Sequence, residues 1–224
     1  MSGIAGIART GQTELVNRML DKMAHRGRDW REVRDNGSVT FGATGLKIQE
    51  TDLAGLKSGG IVRDRAGNGH FAQAEVKPGT FSLKRDTLGT RPLYYGHTQD
   101  GMFCFASEVK GLLVATRDIH EMPPGHTFDG VNLSKDSEIA VQPPVTDSPD
   151  VIAKELRKRL EASIQSRMEG GNVGSWLSGG LDSSTMAALA RPHVTKLHTF
   201  AAGTPGAPDL EFARIVAEFI HSEH

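Results

Sequence analysis

The sequence predicts an α+β domain followed by the first part of a parallel α/β domain, with a linker between them. Three observations carry this expectation. Residues 39–130 are mostly short β-like runs punctuated by Gly, Asp and Pro, with few helical repeats. Residues 141–148 contain Pro143, Pro144 and Asp147 and show no periodicity, as a linker does. Beyond them the pattern becomes helix, strand, helix, strand, helix, the alternation from which parallel sheets are built. The expected limits are residues 1–140 for the first domain and 149–224 for the second.

In chain order, residues 4–8 read as a short apolar strand with glycines. Thr13 is expected to cap a helix whose Leu15, Val16, Met19, Leu20 and Met23 recur at helical spacing, and Gly27 to end it. Residues 81–84, 93–96 and 103–106 read as strands. Ser148, Pro149 and Asp150 signal a helix start; Ile152, Leu156, Leu160, Ile164 and Met168 then step by four until Gly170 and Gly171 stop the run. A strand at 173–177 leads through a Ser/Gly loop into an Ala-rich helix ending near Ala190. A second strand at 197–202 leads through a Gly/Pro turn into a helix at 210–220. Two strands cannot complete a parallel sheet, whose faces need covering and whose edges need neighbours, so the second domain reads as cut short.

A chain of 224 residues, 38% hydrophobic and 24% charged, can bury a core in one or two domains. A net charge of −1 gives no electrostatic footprint for nucleic acid or an anionic membrane surface. The N-terminus has no apolar run long enough for a signal peptide or a bilayer span, and the single cysteine, Cys104, excludes an internal disulfide framework. Together these predict a cytoplasmic protein. Cys104 lies in the alternating run 102–105 and is expected to pack inside a strand. None of the nine histidines has metal-ligand spacing; His221 and His224 sit one helical turn apart at a chain end expected to fray. Lys154, Arg157, Lys158 and Arg159 read as the solvated face of an amphipathic helix.

The strongest chemical signal is the run Ser178, Gly179, Gly180, Leu181, Asp182, Ser183, Ser184, set between a strand and a helix. Glycines let backbone N–H groups face an anion without interference from Cβ, and a helix N-terminus adds about half a positive charge together with unpaired donors. The serines add hydroxyl donors. An aspartate repels phosphate unless a cation lies between them, so Asp182 points to Mg²⁺. The loop has no Lys and lacks the G-x-x-x-x-G-K spacing, which argues against transfer of a γ-phosphate. The plain structural alternative is a serine-capped helix after a glycine turn.

The run 173–184 (VGSWLSGGLDSS) resembles the pyrophosphatase loop of the glutamine-dependent asparagine synthetases, and 197–209 (LHTFAAGTPGAPD) resembles the strand and turn that follow it there. In that family the loop holds the pyrophosphate of ATP while a side-chain carboxylate is adenylated, and ammonia then displaces AMP. The resemblance implies that Ser178, Gly179, Gly180, Asp182 and Ser183 hold pyrophosphate, with Asp182 meeting Mg²⁺ directly or indirectly. It also implies that Leu177 and Ala202 line the adenine. Residues 1–6, 25–30 (HRGRDW), 85–96 (RDTLGTRPLYYG), 105–112 (FASEVKGL) and 123–128 (PPGHTF) resemble the same family's glutaminase domain, in the family's order. That domain is an N-terminal-nucleophile hydrolase of stacked β-sheets with helices, in which a cysteine exposed by loss of the initiator Met attacks glutamine. Ser2 stands at that position.

A thiol is partly ionised near neutral pH, whereas a serine hydroxyl needs a positioned base, which the α-amine of Ser2 can supply once Met1 is removed. Other departures weigh against activity. The family's Asn-Gly-Glu segment and downstream acidic residue, which grip glutamine, find no room between residues 42–52 and 69–75. An arginine expected near Leu46 is missing, and Arg28 replaces a family proline. These departures favour a structural Ser2 in a shortened, degenerate glutaminase. His25, Arg26 and Asp29 read either as functional or as a turn with a buried ion pair. Arg85, Asp86 and Arg91 are expected to tie a hairpin together, and Tyr94, Tyr95 and Phe105 to be core or interface residues.

Two functions follow. One is an AMP-forming ligase that amidates a carboxylate, aspartate by resemblance, with ammonia or glutamine as donor; its remaining motifs would lie beyond His224 or on a partner chain or second copy. The other is a catalytically degenerate ATP-binding or scaffold protein that keeps the fold.

Overall fold

The computed structural model describes residues 2–46, 60–65, 69–77, 80–168 and 172–224. The chain divides into two compact units, Met1–Val141 and Gln142–His224. In the first, β1 (Gly3–Ile7), α1 (Thr13–Asp21), β2 (Trp30–Asp35), β3 (Thr40–Gly45), β4 (Ile61–Arg65), β5 (Phe71–Lys77) and β6 (Thr80–Arg85) come first. They are followed by β7 (Tyr94–His97), β8 (Phe103–Ala106), α2 (Val109–Leu112), β9 (His120–Glu121), β10 (His126–Phe128) and β11 (Leu133–Lys135). The strands form a six-stranded sheet in the order β2-β3-β1-β8-β7-β9 and a five-stranded sheet in the order β11-β10-β6-β5-β4. This is the α+β architecture expected, and the described strand pairs in both sheets are antiparallel.

The two-residue period of each strand sorts its side chains between two apolar layers. Ile4 faces the second sheet with Phe41, Leu83, Phe105 and Phe128, whereas Ala5 and Ile7 turn the other way and pack with Val16, Met19 and Leu20 of α1. Across the outer face of the second sheet, paired positions carry Arg63, Gln73, Glu75, Ser82 and Lys84. Cys104 is buried in β8, and burial, with the Asp118 charge, pushes its thiol up to about 12. It is a packing residue, as its strand position predicts.

The start and end of α1 differ from expectation. Thr13 is the first helical residue, Gln12 takes the cap position, and no side chain caps the helix. The helix stops at Asp21, and a 3-10 turn at Ala24–Arg26 carries the chain to Gly27. The reason lies in the hydrogen bonds: Met23 N donates to Leu20 O and Arg26 N to Met23 O, three-residue steps that tighten the last turns.

Arg85 and Asp86 hold the turn before β7. Arg85 donates to the carbonyls of Gly89 (2.8 Å), Arg91 (2.8 Å) and Met122 (2.6 Å), and Asp86 accepts from the amides of Phe71 (3.1 Å) and Leu88 (3.0 Å). Phe105 is buried, and Tyr95 stacks on Phe103 and Phe128.

No helix or strand lies between Lys135 and Pro149, and residues 131–150 are exposed throughout. The second unit then comprises α3 (Pro149–Gln165), β12 (Asn172–Trp176), α4 (Leu181–Ala190), β13 (Lys196–Phe200) and α5 (Pro208–Phe219). β12 and β13 are parallel, in register from Asn172↔Lys196 to Trp176↔Phe200. Their shared core is Leu177, Ala187, Leu197, Ala213, Ala217 and Ile220.

α3 ends at Gln165, before Gly170, and its apolar stripe is covered only in part. Ile164 is buried while Ile152 and Leu156 are 40% and 55% exposed, because among the described residues the helix meets a neighbour toward its C-terminal end, where Gln165 reaches His193. The basic face is solvated as expected, with Arg157–Glu161 (2.8 Å) and Arg159–Glu155 (2.7 Å) pairs one turn apart. The chain end is paired, contrary to the expected fraying. Glu223 N donates to Leu197 O (2.9 Å), and Glu223 O accepts from Thr199 N (2.8 Å). Among the described residues no His, Cys, Asp and Glu cluster is arranged to hold a metal, and no helix is long and apolar enough to cross a membrane.

Candidate functional site

β12 delivers the chain to Leu177, whose amide donates to Phe200 O (2.8 Å) and whose side chain lies in the second unit's core. Any contact of Leu177 with a ligand therefore falls to its backbone. Gly179 follows with φ +77°, in the left-handed region, and a Cβ there would stand 2.4 Å from Phe212 Cβ and 2.6 Å from Ala213 N of α5. Gly180 is different: it is the N-cap of α4 with φ −73°, and a Cβ would meet only Ser178 Oγ, at 3.4 Å.

Ser183 folds back into the loop. Its Oγ accepts from Ser178 N (3.1 Å) and lies 3.0 Å from Ser178 Oγ. Ser184 N donates to Gly180 O (3.0 Å), starting the helical ladder, so the amides of Leu181, Asp182 and Ser183 precede it and have no acceptor within the helix. Ser184 Oγ is buried without a hydrogen-bond partner. Asp182 is exposed, and Ala202 is exposed just past the end of β13. Because β12 and β13 are parallel, loop and Ala202 share the carboxyl edge of the two strands, where α/β sheets bind ligands. Amides, hydroxyls and a helix N-terminus gathered there suit an anion.

Ser2, at the predicted nucleophile position, lies in the first unit and is fully buried. Its hydroxyl donates to Asp64 Oδ1 (3.1 Å), and its carbonyl accepts from Arg26 Nε (2.7 Å). Arg26 also makes a close ion pair with Asp64 Oδ2 and a second with Glu108 (3.0 Å), and Arg91 Nε stands 3.7 Å from Asp64 Oδ1. Glu108 in turn meets His25 (2.9 Å) and Lys110 (3.2 Å). Burial pushes the Asp64 carboxyl above its ordinary value against the pull of Arg26 and Arg91. At Glu108 burial also works upward, but hydrogen bonds from Arg26 and Lys110 leave it below its ordinary value.

A buried ion pair thus exists at the turn that follows α1, with Arg26 on the 3-10 turn itself and Asp64 as its partner. Asp64 does not stand out in the sequence, and Glu108 lies within the run 105–112 without a role of its own there. The available signal was the strand period: Asp64 is two residues from buried Val62 and shares its inward face on β4. Of the stretch expected to hold the glutamine-gripping segment, residues 47–59 and 66–68 lie outside the described residues.

Residues 155–224 match the asparagine synthase family, and residues 58–124 match the glutamine amidotransferase domain family. Asparagine synthetase B (glutamine-hydrolysing) of Escherichia coli is 34% identical over 191 residues, a stretch covering 73% of this chain and 33% of that protein. The glutamine-hydrolysing asparagine synthetase 2 of Lotus japonicus is 35% identical over 173 residues, covering 69% of this chain and 28% of that protein. The chain spans about a third of the length of the curated relatives it matches. Among solved structures, the glutamine phosphoribosylpyrophosphate amidotransferase of B. subtilis superposes with a TM-score of 0.51 at 15% identity, covering 89% of this chain and 65% of that one. That likeness is one of fold. With an amidotransferase match ahead of a synthase match along one chain, this protein belongs, over the residues matched, to the glutamine-dependent asparagine synthetase family.

Proposed function

We infer that the chain is an ATP-dependent ligase of asparagine-synthetase type, forming AMP and pyrophosphate as it amidates a carboxylate, aspartate in the family's reaction, with ammonia as donor. The observation that carries this reading is the loop at 178–184, at the carboxyl edge of two parallel strands and inside the stretch that matches the asparagine synthase family. The residues present fit a pyrophosphate group. Ser184 Oγ is buried and unpartnered, and Gly179 and Gly180 add no side chain of their own to the loop. The amides of 181–183 with Ser178 and Ser183 would hold the pyrophosphate, Asp182 would meet Mg²⁺, and the Leu177 backbone and Ala202 would flank the adenine.

Mg²⁺-ATP would supply an activated adenylyl group, with the pyrophosphate that leaves neutralised by the metal. The chain's part is positioning and charge stabilisation. Fixed amides at a helix N-terminus meet negative charge as it grows, without reorganising at the moment of reaction. Ser183 exchanges its bonds to Ser178 for bonds to the anion. In the first unit the Ser2 hydroxyl is committed to a carboxylate that Arg26 also holds, which supports a structural serine and ammonia in place of glutamine.

The full chain should release pyrophosphate only when ATP, Mg²⁺ and a suitable carboxylate are present, and over repeated turnovers only when ammonia is added to free the adenylated intermediate. Asp182→Ala should lower the turnover rate at least about tenfold, some 1.4 kcal/mol of barrier. No release, or equal release from the variant, sinks the ligase reading; ATP binding without release would replace it with an ATP-binding scaffold. Glutamate formed from glutamine faster than in a Ser2→Ala control would overturn the assignment of ammonia as donor.

A further inference from the structure

Two guanidiniums and a hydroxyl converge on the Asp64 carboxylate from separate parts of the first unit. Ser2 lies just before β1, Arg26 on the 3-10 turn, and Arg91 in the turn before β7. Asp64 itself is on β4, an edge strand of the second sheet whose described pairing is to β5 alone. We propose that Ser2, Arg26 and Arg91 form a buried carboxylate-binding site which the chain fills with its own Asp64.

The charges support a ligand-like role. Arg26 and Arg91 are 6% and 14% exposed at their side chains, and Asp64 is 0% exposed. Glu108, the other carboxylate on Arg26, is 20% exposed and is shared with His25 and Lys110. Asp64 thus supplies the fully buried negative charge of the cluster. Removing it leaves buried cations with less than their balance, a strongly unfavourable state, whereas a carboxylate from solution restores both charge and hydrogen bonds. The ligand class is a monocarboxylate of formate or acetate size, since truncation of Asp64 at Cβ vacates only a carboxylate and the bond that carries it. The site also acts as a tether: seating Asp64 anchors an edge strand to residues flanking the first sheet. This inference does not rest on the ATP reading, and its test involves no nucleotide.

In the full chain, Asp64→Ala should lower the thermal-unfolding midpoint by on the order of 10 °C. Sodium formate should recover part of that loss in a saturable manner, sodium chloride at equal ionic strength should not, and the unaltered chain should respond alike to both salts. Asp64→Asn keeps the shape and loses the charge, so it should also be destabilised, yet gain nothing from formate because its amide occupies the space. Equal responses of Asp64→Ala to formate and chloride, an Asn variant rescued as well as the Ala variant, or an Asn variant as stable as the unaltered chain would each overturn the proposal. Should the Ala variant not fold unaided, far-UV circular dichroism with and without formate gives the same decision: formate-dependent folding supports the site, and none overturns it.

Discussion

Arg85→Met is expected to cost the first unit about 4 kcal/mol and to lower its unfolding midpoint by on the order of 10 °C. Arg85 is 6% exposed and donates to three backbone carbonyls, those of Gly89, Arg91 and Met122, which no strand partner serves through these contacts. A hydrogen bond from a charged donor is worth roughly 1.5–3 kcal/mol, and carbonyls left unpaired in the interior add a desolvation penalty. Its fourth partner, Glu121, is 58% exposed and contributes little. Methionine keeps the stem's packing, so the loss isolates the guanidinium. Arg85→Lys should fall between the two, because an ammonium is a single point where the planar fork spans three carbonyls. Chemical denaturation of the three proteins tests this order. A methionine variant as stable as the parent would mean that Asp86 alone holds the turn, through Phe71 and Leu88.

What was legible in the sequence had short-range causes. The two-residue period placed strands at β6, β7 and β8 because each alternation is a property of its own few residues. The 178–184 loop was legible for the same reason, since its glycines, its serines and the helix it opens are contiguous. Asp64 was not legible. Its partners Ser2, Arg26 and Arg91 are brought to it by sheet packing, and within the run Ile61, Val62, Arg63, Asp64, Arg65 a carboxylate reads as surface. The α3 stripe shows a second limit. Helical spacing reports which face is apolar, and it says nothing of whether another element covers that face, as Leu156 at 55% exposure shows. Likewise Met23 recurs at helical spacing from Met19 although α1 has already ended, because a tightened turn still points it into the core.

Gly179→Ala and Gly180→Ala should separate two roles that adjacent glycines hide in the sequence. At Gly179 an alanine must adopt φ +77° and place its Cβ 2.4 Å from Phe212 Cβ, so α5 or the loop has to move. Left-handed backbone costs a non-glycine residue roughly 1–2 kcal/mol and overpacking typically about 1–3 kcal/mol, which together predict a loss of about 3 kcal/mol in the second unit. Pyrophosphate release should then fall with stability, because the displaced segment leads directly into the amides of 181–183. At Gly180 the backbone suits any residue and the nearest atom is 3.4 Å away, so alanine should change stability by less than about 0.5 kcal/mol. Its methyl would nevertheless stand beside Ser178 Oγ in the mouth of the loop, so release should fall while the fold is unchanged. Thermal unfolding and pyrophosphate release, measured on both variants, give a two-by-two outcome. If Gly179→Ala unfolds with the parent, α5 does not pin the loop; if Gly180→Ala releases pyrophosphate at the parent rate, no anion approaches the N-cap. Those two outcomes together would assign the first glycine to the fold and the second to the anion.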